Sequence, residues 1–179
     1  MKFLGSGKVK DLYEYDDAHL LFKFSNRVSA YDVKFNEDIP EKGKVLCKFA
    51  EFWFEHLDVP NHFVKTHSDT EIVVKKMKMI PMECVVRGYF YGSLVGRHKR
   101  KEITLSENID TTLAAKLEEP IFDPTTKSEH DIPVNKQKAL EMNLVTEEQF
   151  DYLEKTSIDI YKKMSALTKL PFQQLAPLS

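Results

Sequence analysis

Residues 80–93, Ile-Pro-Met-Glu-Cys-Val-Val-Arg-Gly-Tyr-Phe-Tyr-Gly-Ser, constrain this chain more than any other stretch, because two charges stand inside a run that otherwise reads as buried. The Val85-Val86 pair and the aromatic Tyr89, Phe90 and Tyr91 favour an extended strand over a helix. Glu83 and Arg87 are four apart, so the period of two along a strand predicts both on one face. An acid and a base on one face of a half-buried strand need partners, either each other's networks or a polar ligand in a cleft. Gly92-Ser93 then lets the backbone approach something closely and offers it a hydroxyl.

A chain of 179 residues suits one domain, or two small lobes around a cleft. No window approaches the roughly 20 apolar residues of a spanning helix, and the N-terminus lacks the apolar core of a secretory signal. The expectation is a cytoplasmic protein without a membrane partner. Cys47 and Cys84, each in an apolar run, are expected as buried free thiols with neither disulfide nor metal spacing. The net charge of −2 argues against nonspecific nucleic-acid binding, although basic residues dominate 75–101.

Val9 to Tyr15 and His19 to Phe24 read as strands of a hairpin turning at Asp16-Asp17-Ala18. Lys44 to Leu57 carries Val45, Leu46, Phe49, Phe52, Trp53 and Leu57 at helical spacing, ended by Asp58-Val59-Pro60, and should pack on that sheet. Strands are expected at His62 to Thr66 and Glu71 to Met77. The proline-bearing stretch from Glu118 to Val134 lacks periodicity and reads as a long irregular loop. The last helix should begin at Thr146, with Gln149 completing a capping box and Phe150, Leu153, Ser157, Tyr161 and Met164 on one stripe.

Several stretches could carry chemistry. Gly5-Ser6-Gly7-Lys8-Val9-Lys10, ahead of the first expected strand, sets glycines beside lysines, as a phosphate-covering loop does, although a plain glycine turn with solvated lysines reads the same way. Ser25 to Asp32 is either a turn held by Asn and Ser side chains, with Arg27 on a surface carboxylate, or a place where Arg27, Ser29 and Asp32 face a ligand. Glu41-Lys42-Gly43-Lys44 is either a second phosphate-facing turn or the start of the aromatic helix. Phe122 to Asp131 concentrates hydroxyls, an ammonium, an imidazole and three carboxylates, enough to grip a small polyanion and an amino acid unless it is a mobile connection. Arg97 to Lys101 reads as a solvated helix end. His19, His56, His62 and His67 lack metal-ligand spacing.

In order along the chain, these stretches resemble the SAICAR synthetase family. Gly7-Lys8-Val9-Lys10-Asp11-Leu12-Tyr13 is similar to its opening Gly-Lys-x-(Lys/Arg)-Asp-(Ile/Leu)-Tyr. Arg27 to Asp32 is similar to Arg-(Ile/Val)-Ser-Ala-Phe-Asp, and Ile39 to Leu46 to Ile-Pro-x-Lys-Gly-x-x-Leu. Pro81-Met82-Glu83, Arg87 and Gly92-Ser93 match its most specific signature, and Pro124 to Asp131 resembles Pro-(Ser/Thr)-Thr-Lys-x-Glu followed by His-Asp.

The resemblance implies an α+β fold: a kinase-like antiparallel β lobe over residues 1–80 and a second α+β lobe over 81–179, with ATP in the cleft between them. It implies a ligase of purine biosynthesis, in which ATP, L-aspartate and carboxyaminoimidazole ribonucleotide (CAIR) give SAICAR, ADP and phosphate. By the same carry-over Gly7, Lys8, Lys10, Met82 and Glu83 would meet ATP. Arg27, Ser29, Asp32, Arg87, Gly92 and Ser93 would meet substrate, and Lys127, Glu129 and Asp131 would arrange CAIR and aspartate, with Lys127, Asp131 and Arg87 nearest the chemistry. Mg²⁺ would accompany ATP, held by carboxylates of a later Asp-x-Lys-x-Glu-Phe-Gly segment that nothing after Ala166 matches. The second lobe is therefore expected to be C-terminally incomplete, with the tail Leu167 to Ser179 a changed ending and activity impaired. A homo-oligomer is compatible with the sequence. The rivals are a kinase-like phosphotransferase and a noncatalytic nucleotide-binding module.

Overall fold

The structure, a computed structural model, describes residues 1–30, 33–128 and 131–168. The chain forms two compact units, residues 1–78 and a second from Met79 onward.

The first unit is built on strands β1 (Lys2–Ser6), β2 (Lys10–Glu14), β3 (His19–Phe24), β6 (Phe63–Ser68) and β7 (Glu71–Lys75), in the order β1-β2-β3-β7-β6 and antiparallel throughout. The β2–β3 hairpin turns where expected, with Asp16 Oδ1 accepting from the backbone N–H groups of Ala18 and His19 at 2.8 Å each. In the central strands Leu21, Ile72, Val73 and Val74 are almost wholly enclosed. Helix α1 (Lys42–His56) lays Cys47, Ala50 and Phe54 on Ile72 and Val74, with Phe22, Phe24 and Phe63 around them. It starts two residues earlier than its apolar stripe predicts, because a glycine is needed there. A Cβ on Gly43 would lie 2.9 Å from the Phe24 carbonyl oxygen, and the Gly43 N–H donates to Asn26 Oδ1 at 2.9 Å.

Two expectations change in this unit, and one choice left open by the sequence is decided. The glycine-lysine stretch is not a lead-in to the sheet: a strand, β1, takes in Gly5 and Ser6, β2 begins at Lys10, and residues 7–9 connect them. Ser25 to Asp32 is not one turn: β4 (Arg27–Ala30) and β5 (Val33–Asp38) form an antiparallel ribbon. Lys42-Gly43-Lys44 belongs to the helix, whose first-turn Gly43 N–H is spent on Asn26.

In the second unit the 80–93 run is two strands, not one. Met82–Glu83 (β8) pairs with Thr125–Thr126 (β11), and Val86–Tyr89 (β9) pairs with Lys116–Phe122 (β10), each antiparallel and in its own sheet. The break at Cys84-Val85 separates Glu83 from Arg87, so the shared face expected from alternation does not form. The Glu118 to Val134 loop is correspondingly more regular than expected, supplying most of β10 and all of β11. Met82, Val134, Ala139, Val145 and Phe150 form one core, and Phe90, Leu94 and Leu117 another. Helices α2 (Ser93–Lys99), α3 (Lys136–Glu141) and α4 (Glu147–Leu167) complete the unit. The capping box of α4 forms as the sequence predicts, Thr146 Oγ1 accepting from the Gln149 N–H at 3.2 Å and Gln149 Oε1 from the Thr146 N–H at 3.0 Å. Cys47 is a buried free thiol as expected, whereas Cys84 is exposed.

Candidate functional site

The site residues fall into two groups, one in each unit. In the first unit the Gly7 to Lys10 connection closes on itself, the Gly7 N–H donating to the Lys10 carbonyl at 2.8 Å. That N–H is thus committed within the turn, and of the two backbone groups of Gly7 neither is left over: its carbonyl accepts from Arg27 Nη2 at 3.1 Å. The same guanidinium grips Asp11 with two bonds, Nη2 to Oδ1 at 2.8 Å and Nη1 to Oδ2 at 3.1 Å. Ser6 Oγ adds a third to Asp11 at 2.5 Å. The Arg27 bond, more than the opposing burial, holds the Asp11 carboxyl below its ordinary value, with Ser6 adding to it. Arg27 is accordingly a brace for the glycine-lysine connection. Lys8 is exposed, and Lys10 Nζ stands 3.9 Å from the centre of the Phe22 ring. Ser29 lies on β4, opposite Lys34.

In the second unit the β9–β10 pairing brings Arg87 beside Asp123, which follows the end of β10 and donates its own N–H to the Val85 carbonyl at 2.8 Å. Arg87 Nε donates to Asp123 Oδ2, and Arg87 Nη2 donates to Ser93 Oγ at 2.7 Å. Gly92 makes the second bond possible. Its φ of +66° with ψ of −140° is open to glycine and strained for other residues, and it swings the chain so that Ser93 starts α2 with its hydroxyl on Arg87.

Behind this pair lies Arg97, whose Nη2 donates to both Asp123 oxygens at 2.5 Å. The side chains of Asp123, Arg97 and Arg87 keep 6, 9 and 20% of their exposure, so only Arg87 reaches solvent appreciably. Burial pushes the Asp123 carboxyl up, but the hydrogen bonds from Arg97 and Arg87 and their charges outweigh it and hold the carboxyl below its ordinary value. Among the described residues two guanidiniums share this one carboxylate, so the three-residue cluster carries an excess of one positive charge in a partly enclosed place. Such a place favours an anion.

Arg97 corrects the sequence reading, which took 97–101 as a solvated helix end: Lys99, Arg100 and Lys101 are exposed, but Arg97 is buried. Its helical spacing from Leu94, which is fully enclosed, is the signal that would have found it. Asp123 entered the sequence reading only as one of three loop carboxylates.

Glu83 and Lys127, from opposite sides of the β8–β11 pairing, meet at 2.7 Å, both about half exposed. The Met82 side chain is in the core, so what it offers a ligand is backbone. Asp131 is exposed. Asp32 and Glu129, both expected at the site, lie outside the described residues, as does the tail from 169. Among the described residues no group of three or more His, Cys, Asp or Glu is placed to hold a metal ion. No helix among them is long and apolar enough to cross a membrane.

The sequence model of the SAICAR synthetase family matches residues 3–170. A phosphoribosylaminoimidazole-succinocarboxamide synthase of Nitrosopumilus maritimus is 72% identical over 168 residues, covering 94% of this chain and 61% of that protein. The same enzyme of Candida maltosa is 36% identical over 178 residues, covering 89% of this chain and 60% of that protein. Among solved structures, the SAICAR synthase of Saccharomyces cerevisiae complexed with SAICAR superposes with a TM-score of 0.80 at 32% identity, covering 90% of this chain and 61% of that one. The chain thus spans about 61% of the length of the relatives it matches.

Proposed function

We propose that this chain, which belongs to the SAICAR synthetase family, serves the ATP-dependent joining of L-aspartate to CAIR in purine biosynthesis. The observation that carries the reading is the Arg87–Ser93 pair on its net-cationic base, set in the family's most specific motif. A guanidinium edge beside a hydroxyl is the donor set that a phosphate monoester needs. Arg87 and Ser93 are assigned to the CAIR phosphate, with Gly92 shaping the approach.

The chemistry follows from the inertness of a carboxylate towards amines. Its oxygen attacks the γ-phosphorus of ATP and ADP leaves; the aspartate amine then attacks the acyl carbon, the amide forms, and phosphate departs with the former carboxylate oxygen. The chain's own part is positioning and charge neutralisation. Lys8 and Lys10, on the connection braced by Arg27, are assigned to ATP phosphates, and Gly7 to holding that connection closed. The Met82 backbone and Glu83 are assigned to the nucleotide, and Lys127 and Asp131 to the reacting carboxylate and the aspartate. The Glu83–Lys127 bond fixes the direction of the Lys127 side chain. Magnesium as the companion of ATP, and a cytoplasmic location, belong to the same proposal.

The test is ADP release measured with CAIR and aspartate supplied singly and together, with SAICAR detected in parallel. ADP release that requires both, with SAICAR appearing, is the expected result. Release with CAIR alone would mark a phosphotransferase, and nucleotide binding without release a noncatalytic module.

A further inference from the structure

Arg87 has five N–H groups to place. Nε goes to Asp123 and one Nη2 hydrogen to Ser93, while Nη1 meets no acceptor among the described residues. The outward edge is therefore defined by what grips the inward one. Asp123 is itself gripped, because Arg97 bonds both of its oxygens and so stops the carboxylate from rotating. Arg97 does this at a cost, since its own Nε is buried without a partner among the described residues. A single arginine would have neutralised Asp123. The second, outer one is surplus to charge balance, and it is the one that reaches solvent.

We infer that Asp123 is a positioning residue for the phosphate subsite: by taking Nε of Arg87 it turns the Nη edge of that guanidinium outward beside Ser93, while Arg97 anchors the carboxylate from the buried side. This rests on the reading of Arg87 and Ser93 as the groups that face the CAIR phosphate. Loss of Asp123 would leave both cations in place, so total positive charge would rise; if charge alone governed the subsite, anion binding would strengthen. Under the positioning role it weakens, because an unanchored fork no longer presents two aligned N–H groups. The two accounts differ in sign.

The experiment measures, by titration calorimetry, binding of CAIR and of its dephosphorylated nucleoside to the wild-type chain and to Asp123→Asn, Asp123→Glu and Arg87→Lys, with thermal unfolding alongside. Asp123→Asn should weaken CAIR about 10- to 100-fold, the loss of one charged hydrogen bond, with nucleoside affinity unchanged. Asp123→Glu keeps the charge among the arginines but displaces it by a methylene, and should show the same selective loss if the asparagine variant fails to fold. An unchanged or raised preference for CAIR over nucleoside in a folded Asp123 variant overturns the inference. So does failure of both variants to fold, which would give Asp123 to the fold alone. A wild-type chain with no preference for the phosphorylated form, or one whose preference survives Arg87→Lys, would instead remove the phosphate reading beneath it.

Discussion

Arg87 and Arg27 show how one side-chain type takes two roles according to what surrounds it. Arg27 spends both ends of its fork on Asp11 and also reaches the Gly7 carbonyl, so its work is internal. Arg87 is held at one edge and open at the other. Arg87→Lys should therefore weaken CAIR binding about tenfold or more while leaving ATP affinity within about twofold, because a point charge does not replace a two-pronged donor. Equal loss of both ligands with a lowered melting temperature would make Arg87 structural. Asp123 carries a pH signature. Its carboxyl is held below the ordinary aspartate value of about 3.9, so its folded-state advantage is fully present above that value and is lost as pH falls through the depressed folded value. The stability gap between wild type and Asp123→Asn, measured by thermal melts, should be constant from pH 7 to about 5 and shrink steadily below about 4. A gap that persists in acid would mean the loss comes from packing.

Among the elements, the β9–α4 contact turns on a residue with no side chain. A Cβ built on Gly88 would lie 1.7 Å from the Tyr161 hydroxyl oxygen and 2.5 Å from the ring carbon that bears it. The ring therefore occupies the space a side chain would take. Gly88→Ala should destabilise the protein by about 1–3 kcal/mol through overpacking, and the penalty should be much smaller in a Tyr161→Ala background. Additive effects in that double-mutant cycle would show that the strand, not the ring, is what alanine disturbs. The element scale also explains where pattern reading succeeded. The β2–β3 hairpin and the α4 capping box are set by neighbours within a few residues, Asp16 to His19 and Thr146 to Gln149, so their signals were local and clear. The 80–93 run misled because alternation assumes an unbroken strand, and nothing in Cys84-Val85 announces the break that sends its halves to different partners.

For the whole molecule, the chain passes from the first unit to the second through an exposed segment. Lys75, Lys76, Met77, Lys78 and Met79 are all exposed, and from Lys76 to Met79 no helix or strand is formed. Brief trypsin digestion should nick there first, giving fragments that divide between residues 75 and 79, read by intact mass. A first cut within 1–74 would instead mark a weaker site inside the first unit. The ordered family motifs, the apolar stripes of α1 and α4, and the turn chemistry were legible in the sequence because each depends on residues close along the chain. So were Arg87 and Ser93 as a pair, since a signature carried them. What only the tertiary structure decided is the company those residues keep. Asp123 stands 36 positions from Arg87 and 26 from Arg97, and three charges so far apart in sequence have no period or spacing by which to be read together. They meet because β9 pairs with β10 and α2 packs its buried face beneath, and burial then makes every unpaired charge costly enough that partners must be shared.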